Sequence, residues 1–247
     1  VINYSFGEGV QLSGDATYIH VAVPAGVYDE LYVTLYDVNG GVMYATVKAG
    51  ESKPLAVGTV REFSAPIVYA ANSNVFVVRD AASLKAFAEA VNEANSFYTQ
   101  DVLMVADVDM TGEEWTPING YTGTINGNGY AIKGLKAPLF GTTSAKIKGL
   151  HLTELNAEWA TLARGGAFAC ELVSASESKI STIEHCSVSG TFTVKNETYA
   201  PSAAASVGYG AFVGKAYAVI FDGCVNNAPI EVLKIQSNTT STTVYCG

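Results

Sequence analysis

Apolar and polar residues alternate with a period of two through the first quarter of the chain. Tyr18-Ile-His-Val-Ala-Val-Pro24, Leu31-Tyr-Val-Thr-Leu-Tyr36 and Val42-Met-Tyr-Ala-Thr-Val47 each put their apolar side chains on one face of an extended segment. Turn signals divide them at Ala25-Gly26, Asp37-Val-Asn-Gly-Gly41 and Ala49-Gly50. The pattern predicts antiparallel strands packed as a sandwich. From Asp80 the period changes: Leu84, Phe87, Ala88 and Val91 fall at i, i+3, i+4 and i+7, which predicts a helix over 81–94 with Asp80 as its N-cap. After residue 100 the pattern changes again, to apolar runs of about four or five residues broken by Gly and Asn corners. Short strands cornered in this way predict a parallel sheet wound into stacked turns.

The cornered segments are Asp107-Val-Asp-Met-Thr-Gly-Glu-Glu-Trp115-Thr-Pro-Ile118, Gly123-Thr-Ile-Asn-Gly-Asn-Gly129, Leu139-Phe-Gly141 and Ile147-Lys-Gly-Leu-His-Leu152. This phrase closely resembles the opening of right-handed β-helix domains that carry GLUG-type repeats. Those domains occur in bacterial surface proteins and beside the catalytic parts of some IgA-cleaving metallopeptidases. Two later stretches return to the theme, Gly165-Gly-Ala-Phe168 with Ile183-Glu-His-Cys186, and Tyr209-Gly-Ala-Phe212 with Ile220-Phe-Asp-Gly-Cys224. Aligned on Ile147-Lys-Gly-Leu150, they bring Leu150, Cys186 and Cys224 to matching inward positions. In the first part, Tyr18 to Tyr28, Leu31 to Gly40 and Val47-Lys-Ala-Gly50 resemble the closing strands of fimbrillin-like adhesin domains from gram-negative anaerobes.

The fold expected is therefore all-β, in two domains. A fimbrillin-like antiparallel β-sandwich covers 1–68, and a GLUG-type right-handed parallel β-helix covers 69–247, with the helix at 81–94 as its N-terminal cap. Pro66 and Asn72-Ser-Asn74 mark the linker, with the boundary near 70. Fimbrillin-like domains are longer than this first segment, so the sandwich is expected to be incomplete and to expose an edge. Thr243-Val-Tyr-Cys-Gly247 reads as the start of another repeat that would leave the last rung uncapped, and the chain reads as a piece of a longer precursor. Both resemblances imply an extracellular adhesin or recognition module at the cell surface or outer membrane of a gram-negative bacterium. It would be a lipoprotein anchored through upstream sequence, with a host glycan or protein, or another surface or pilus subunit, as its partner.

Composition narrows the partners. The 247 residues are 49% hydrophobic and 15% charged, with a net charge of −9. That balance removes the basic footprint that nucleic acid or an anionic membrane requires, and no apolar run is long enough to insert in a membrane as a helix. Cys170, Cys186, Cys224 and Cys246 are widely spaced and form no Cys-x-x-Cys or Cys/His cluster, so no metal site is assigned. Neighbouring rungs could bring Cys186 and Cys224 within disulfide range, but stacked side chains point the same way and suit the torsion poorly, so reduced thiols are expected.

The candidate chemistry is sparse, and no catalytic residue or cofactor is assigned. Asp107 and Asp109 share a strand face by the two-residue period and could hold a cation or a sugar. The plainer reading has them capping turn N–H groups. His20, His151 and His185 sit inside strand patterns, with His151 and His185 at near-equivalent rung positions. No Gly-x-Ser-x-Gly elbow or His-Glu-x-x-His motif is present. Outside the repeating phrase, Trp159, Tyr199 and Asn196 are the candidate binding residues, on contact loops expected at 155–165 and 195–208, where aromatic rings could stack on sugars or anchor a protein. The sequons Asn196-Glu-Thr and Asn238-Thr-Thr are read as chance. The rival reading is an enzyme module acting on polysaccharide or glycoprotein, with Asp107, Asp109 and Lys133 or Lys148 within about 5 Å of one another in a groove. A third is a structural spacer that accepts a donated strand.

Overall fold

The computed structural model describes residues 18, 20–28, 30–37, 41–48, 54–60, 62, 67–70, 74–94, 98–159, 164–196, 207–235 and 244–246. The chain divides into two compact units, Val1–Asn74 and Val75–Gly247. The sequence placed the boundary a few residues earlier.

In the first unit, β1 (Glu30–Tyr36), β2 (Val42–Lys48) and β3 (Val68–Tyr69) form an antiparallel sheet in that order. Tyr36 pairs with Val42 across the turn, whose Gly41 N–H donates to the Asp37 carboxylate at 2.8 Å. The alternation between Leu31 and Val47 thus becomes strand, as expected. The alternation at 18–24 does not. Tyr18, His20 and Val21 are exposed and lie outside the described strands, and Gly26 beyond them is bridged with Leu55. Alternating polarity gives a segment an apolar face but does not supply a partner edge.

The second unit opens with β4 (Val75–Val78) and the helix α1 (Ala81–Glu93). Asp80 caps the helix: its carboxylate accepts from Ser83 N at 2.7 Å, and Ser83 Oγ accepts from Asp80 N at 3.0 Å. Leu84, Phe87, Ala88 and Val91 form the buried stripe. Phe87 meets Phe76, Tyr98 and Tyr121 at ring-centroid distances of 5.3 to 5.9 Å, so α1 lies over the first strands.

From there the chain makes short strands: β5 (Asp101–Met104), β6 (Val108–Asp109), β7 (Thr124–Asn126), β8 (Ala131–Lys133), β9 (Phe140–Thr143), β10 (Lys146–Lys148), β11 (His151–Trp159), β12 (Arg164–Gly165), β13 (Ala169–Val173), β14 (Ser181–Glu184), β15 (Ser187–Asn196), β16 (Val207–Tyr209), β17 (Val213–Tyr217), β18 (Val219–Asp222), β19 (Val225–Asn227), β20 (Ile230–Ile235) and β21 (Val244–Cys246). Their pairings are parallel. One ladder runs β4-β5-β7-β10-β14-β18, a second β6-β8-β11-β15-β19, a third β9-β13-β17, and a fourth β12-β16-β21. The chain visits the ladders in turn, adding a strand at each return.

Register turns this order into columns. Phe76, Val102, Ile125, Ile147, Ile183 and Phe221 stack in the first ladder, and Val108, Ile132, Leu152 and Val188 in the second. Leu150, Cys186 and Cys224 each directly precede a residue of the stacked set His151, Ser187 and Val225, so they too stand one above another. Aromatic rings stack alongside, Tyr121 on Phe140 with 3° between ring planes and Phe168 on Phe212 with 2°. The corners recur as well: Gly149, His185 and Gly223 occupy one column with φ of 52° to 57°, the left-handed region where a side chain is strained. The described residues are thus predominantly β, with one α-helix.

Candidate functional site

The expected contact loops start from β11 and β15, and structure there departs from expectation. Residues 151–159 are strand rather than loop, and Trp159 is 2% exposed. The reason is a register shift: between Leu152 and Leu155 the strand slips by one residue at Glu154, whose φ is 51°, and in the new phase Leu155, Ala157 and Trp159 face inward while Asn156 and Glu158 face outward. Trp159 stacks on Phe192 at 5.1 Å and on Tyr209 at 6.2 Å. Gly165 makes room for it, since a Cβ there would stand 2.5 Å from the indole. Trp159 is therefore a core residue rather than an exposed contact, and its indole N–H is buried without a hydrogen-bond partner. Tyr199 and the side chain of Asn196 lie outside the described residues; the Asn196 backbone ends β15.

The strands around Trp159 anchor three connections in one place. β11, β15 and β20 pair in parallel through Trp159 with Val194 and Val194 with Val232. The chain re-enters at β12, β16 and β21, where Gly165 pairs with Tyr209 and Tyr209 with Cys246. Segments 160–163, 197–206 and 236–243 therefore all leave one parallel ladder and return to another. An ion pair between Arg164 and Glu171 ties the first re-entry strand to β13, and Lys215 Nζ adds a second contact to Glu171 at 3.5 Å.

The outer face of the second ladder collects the polar candidates. Asp109 and Lys133 meet at 3.1 Å, within the range set for the rival enzyme reading. Both are well exposed, however. The Thr111 backbone N–H, donating to Asp109 at 2.9 Å, is the first cause holding its carboxyl below the ordinary value, with Lys133 adding to it. A carboxylate held ionised in this way is a turn cap, not a proton donor. Asp107 accepts from Ala131 N at 2.8 Å. Lys148 lies in the first ladder, opposite Glu184 and Asn126, and does not share the column of Asp107.

The histidines do not pair with each other. His185 is exposed at the left-handed corner beside Gly223. His151 is half-buried, and its Nδ1 lies 2.8 Å from Ser187 Oγ one rung along. Burial pushes the His151 pKa down, while the charge of Asp107 opposes that shift. Ser187 escaped the sequence reading because 36 residues separate it from His151. The matching of Ile147-Lys-Gly-Leu150 to Ile183-Glu-His-Cys186 was the signal that could have paired them.

Cys170, Cys186 and Cys224 are free thiols. Cys186 donates to Glu184 O at 3.2 Å, Cys224 to Ile183 O at 3.2 Å, and burial pushes the Cys186 pKa up to about 12. Cys246, as a side chain, lies outside the described residues. Among the described residues no group of three or more His, Cys, Asp or Glu could hold a metal ion, and no helix is long and apolar enough to cross a membrane.

No protein-family model matches the sequence, and no curated protein matches it. Among solved structures the chain is similar to a candidate immunoglobulin A1 protease from Bacteroides ovatus, at 13% identity and a TM-score of 0.37, covering 68% of this chain and 82% of that one. A likeness at that level carries no argument about fold or activity.

Proposed function

We propose that the protein is an extracellular, adhesin-like recognition module that makes contact through segments 160–163, 197–206 and 236–243. The observation that carries this reading is the shared anchoring of the three segments. They start from β11, β15 and β20 and end on β12, β16 and β21, ladders in which each strand is hydrogen-bonded to its neighbour. Attachment points held in paired ladders lose less conformational freedom on contact, and that lowers the cost of binding. In the same proposal the four ladders are faces of one right-handed parallel β-helix. Parallel crossovers are right-handed in nearly all known cases, which supports that hand. The GLUG and fimbrillin resemblances support a bacterial cell surface as its location and a host glycan or protein, or a neighbouring surface subunit, as its partner.

A glycan and matrix-protein array, run beside lyase and hydrolase assays on the same panel, tests the reading. Binding without cleavage of the glycan chain is expected. Replacing 197–206 by a Gly/Ser linker of equal length should abolish binding while the far-UV circular dichroism stays unchanged. Cleavage of a glycosidic bond in the bound glycan, or binding that survives the replacement of all three connections, would overturn the proposal.

A further inference from the structure

The outer face of the second ladder carries a column whose chemistry the recognition reading does not use. Asp107, Ala131, His151 and Ser187 occupy one lateral position on successive strands. Rungs are about 4.8 Å apart, so each side chain can reach only its nearest neighbours. Ala131 ends at its Cβ, and across that rung the Asp107 carboxylate reaches as far as the Ala131 N–H, 2.8 Å away. On the other side of the ring, His151 Nδ1 stands 2.8 Å from the Ser187 hydroxyl.

From this column we propose that Ser187 is a nucleophile and His151 its general base, together accepting an acyl group from an ester. Nucleophile and base are at hydrogen-bonding distance, the geometry that activates a serine. Half-burial lowers the His151 pKa, so at neutral pH the imidazole holds a free lone pair that can take the Ser187 proton. The Asp107 charge opposes that lowering. The role of base requires the tautomer protonated at Nε2, with Nδ1 open toward the hydroxyl. Other charged groups on strands packed against this face include Asp109 and Lys133, engaged with each other at 3.1 Å, and Glu154, whose charge acts on Lys133.

In the reaction, Ser187 Oγ bonds to the ester carbonyl carbon while its proton moves to His151 Nδ1. The carbon–oxygen bond to the alcohol breaks, and the alcohol leaves with the proton from His151. Water, deprotonated by the same histidine, then attacks the carbonyl carbon of acyl-Ser187; the bond from that carbon to Ser187 Oγ breaks, His151 returns the proton to Oγ, and the carboxylic acid is released. Thr153 and Ser189 continue the strands outward beside the column and make the approach polar. The substrate class that fits is an acyl ester displayed on a polar polymer or protein surface. The site lies on a different ladder position from the contact segments and stands or falls independently of them.

The test treats the full chain with p-nitrophenyl acetate, following p-nitrophenolate release and locating the acetyl group by peptide mass spectrometry. One acetyl group on Ser187 is expected. Ser187→Ala and His151→Gln should each slow release at least about tenfold, with circular dichroism unchanged. Ser189→Ala should react like the parent. The rate should rise with pH through a midpoint below the ordinary histidine value. Acetylation elsewhere than Ser187, or rates in Ser187→Ala or His151→Gln equal to that of the parent, would overturn the proposal.

Discussion

The parallel unit has two ends built from the same kind of strand, and they differ sharply in burial. At the first end α1 covers β4 to β6, and Val102, Met104 and Val108 are all buried. At the last described rung the residues of the same columns are open: Phe221 is 44% exposed above Ile183 at 0%. Position along a column, more than residue type, therefore decides how much an apolar side chain contributes here. Burial comes from the rung above and the rung below, and a terminal strand has only one of them.

Substitutions at the two ends sharpen the contrast. The largest loss is expected for Phe87→Ala, which empties the centre of the covered end: about 3–5 kcal/mol, read as a lower midpoint in urea unfolding. Next, Ile147→Ala in mid-column should cost about 2–5 kcal/mol, whereas Phe221→Ala, in the same column but 44% exposed, should cost less than about 2 kcal/mol. Equal losses at positions 147 and 221 would show that the last described rung is covered in solution. Cysteine chemistry reads the same gradient more gently. Cys224 should be alkylated by iodoacetamide before Cys186, whose thiol is buried and kept protonated by a pKa raised to about 12.

The smallest effect should come from acid. The folded-state pKa of His151 is lowered, so its contribution to stability is complete above the unfolded histidine value near 6.5. That contribution is lost as pH falls through the lower folded value. Thermal midpoints taken between pH 7.5 and 5 should therefore decline less steeply in His151→Gln than in the parent.

Much of the fold was legible because its signals are local. The stripe Leu84, Phe87, Ala88 and Val91 and the cap Asp80 mark α1 within one turn at each end, and the Gly/Asn corners mark the strands from 101 onward. The recurrence of Ile147, Ile183 and their followers gave the Leu150, Cys186 and Cys224 column. Trp159 was misread because the repeating phrase stops at Leu152, while the alternation that buries Leu155, Ala157 and Trp159 resumes after it in a shifted phase. Ser187, and its pairing with His151, were missed for the opposite reason. Their neighbourhood exists only through strand pairing, which no single stretch of sequence spells out.

The corner column at Gly149, His185 and Gly223 has a consequence for how such a chain tolerates changes in length. Asp107 and its stacking partner Ala131 are 24 positions apart in sequence, His151 and Ser187 36, yet both circuits rejoin the ladder in register. Extra residues can be taken up between ladders, whereas a single deletion inside Lys146–Lys148 would turn its inward isoleucine outward and break the column above and below. Duplication and drift can thus enlarge a turn freely while the strands beside it stay fixed in number and phase.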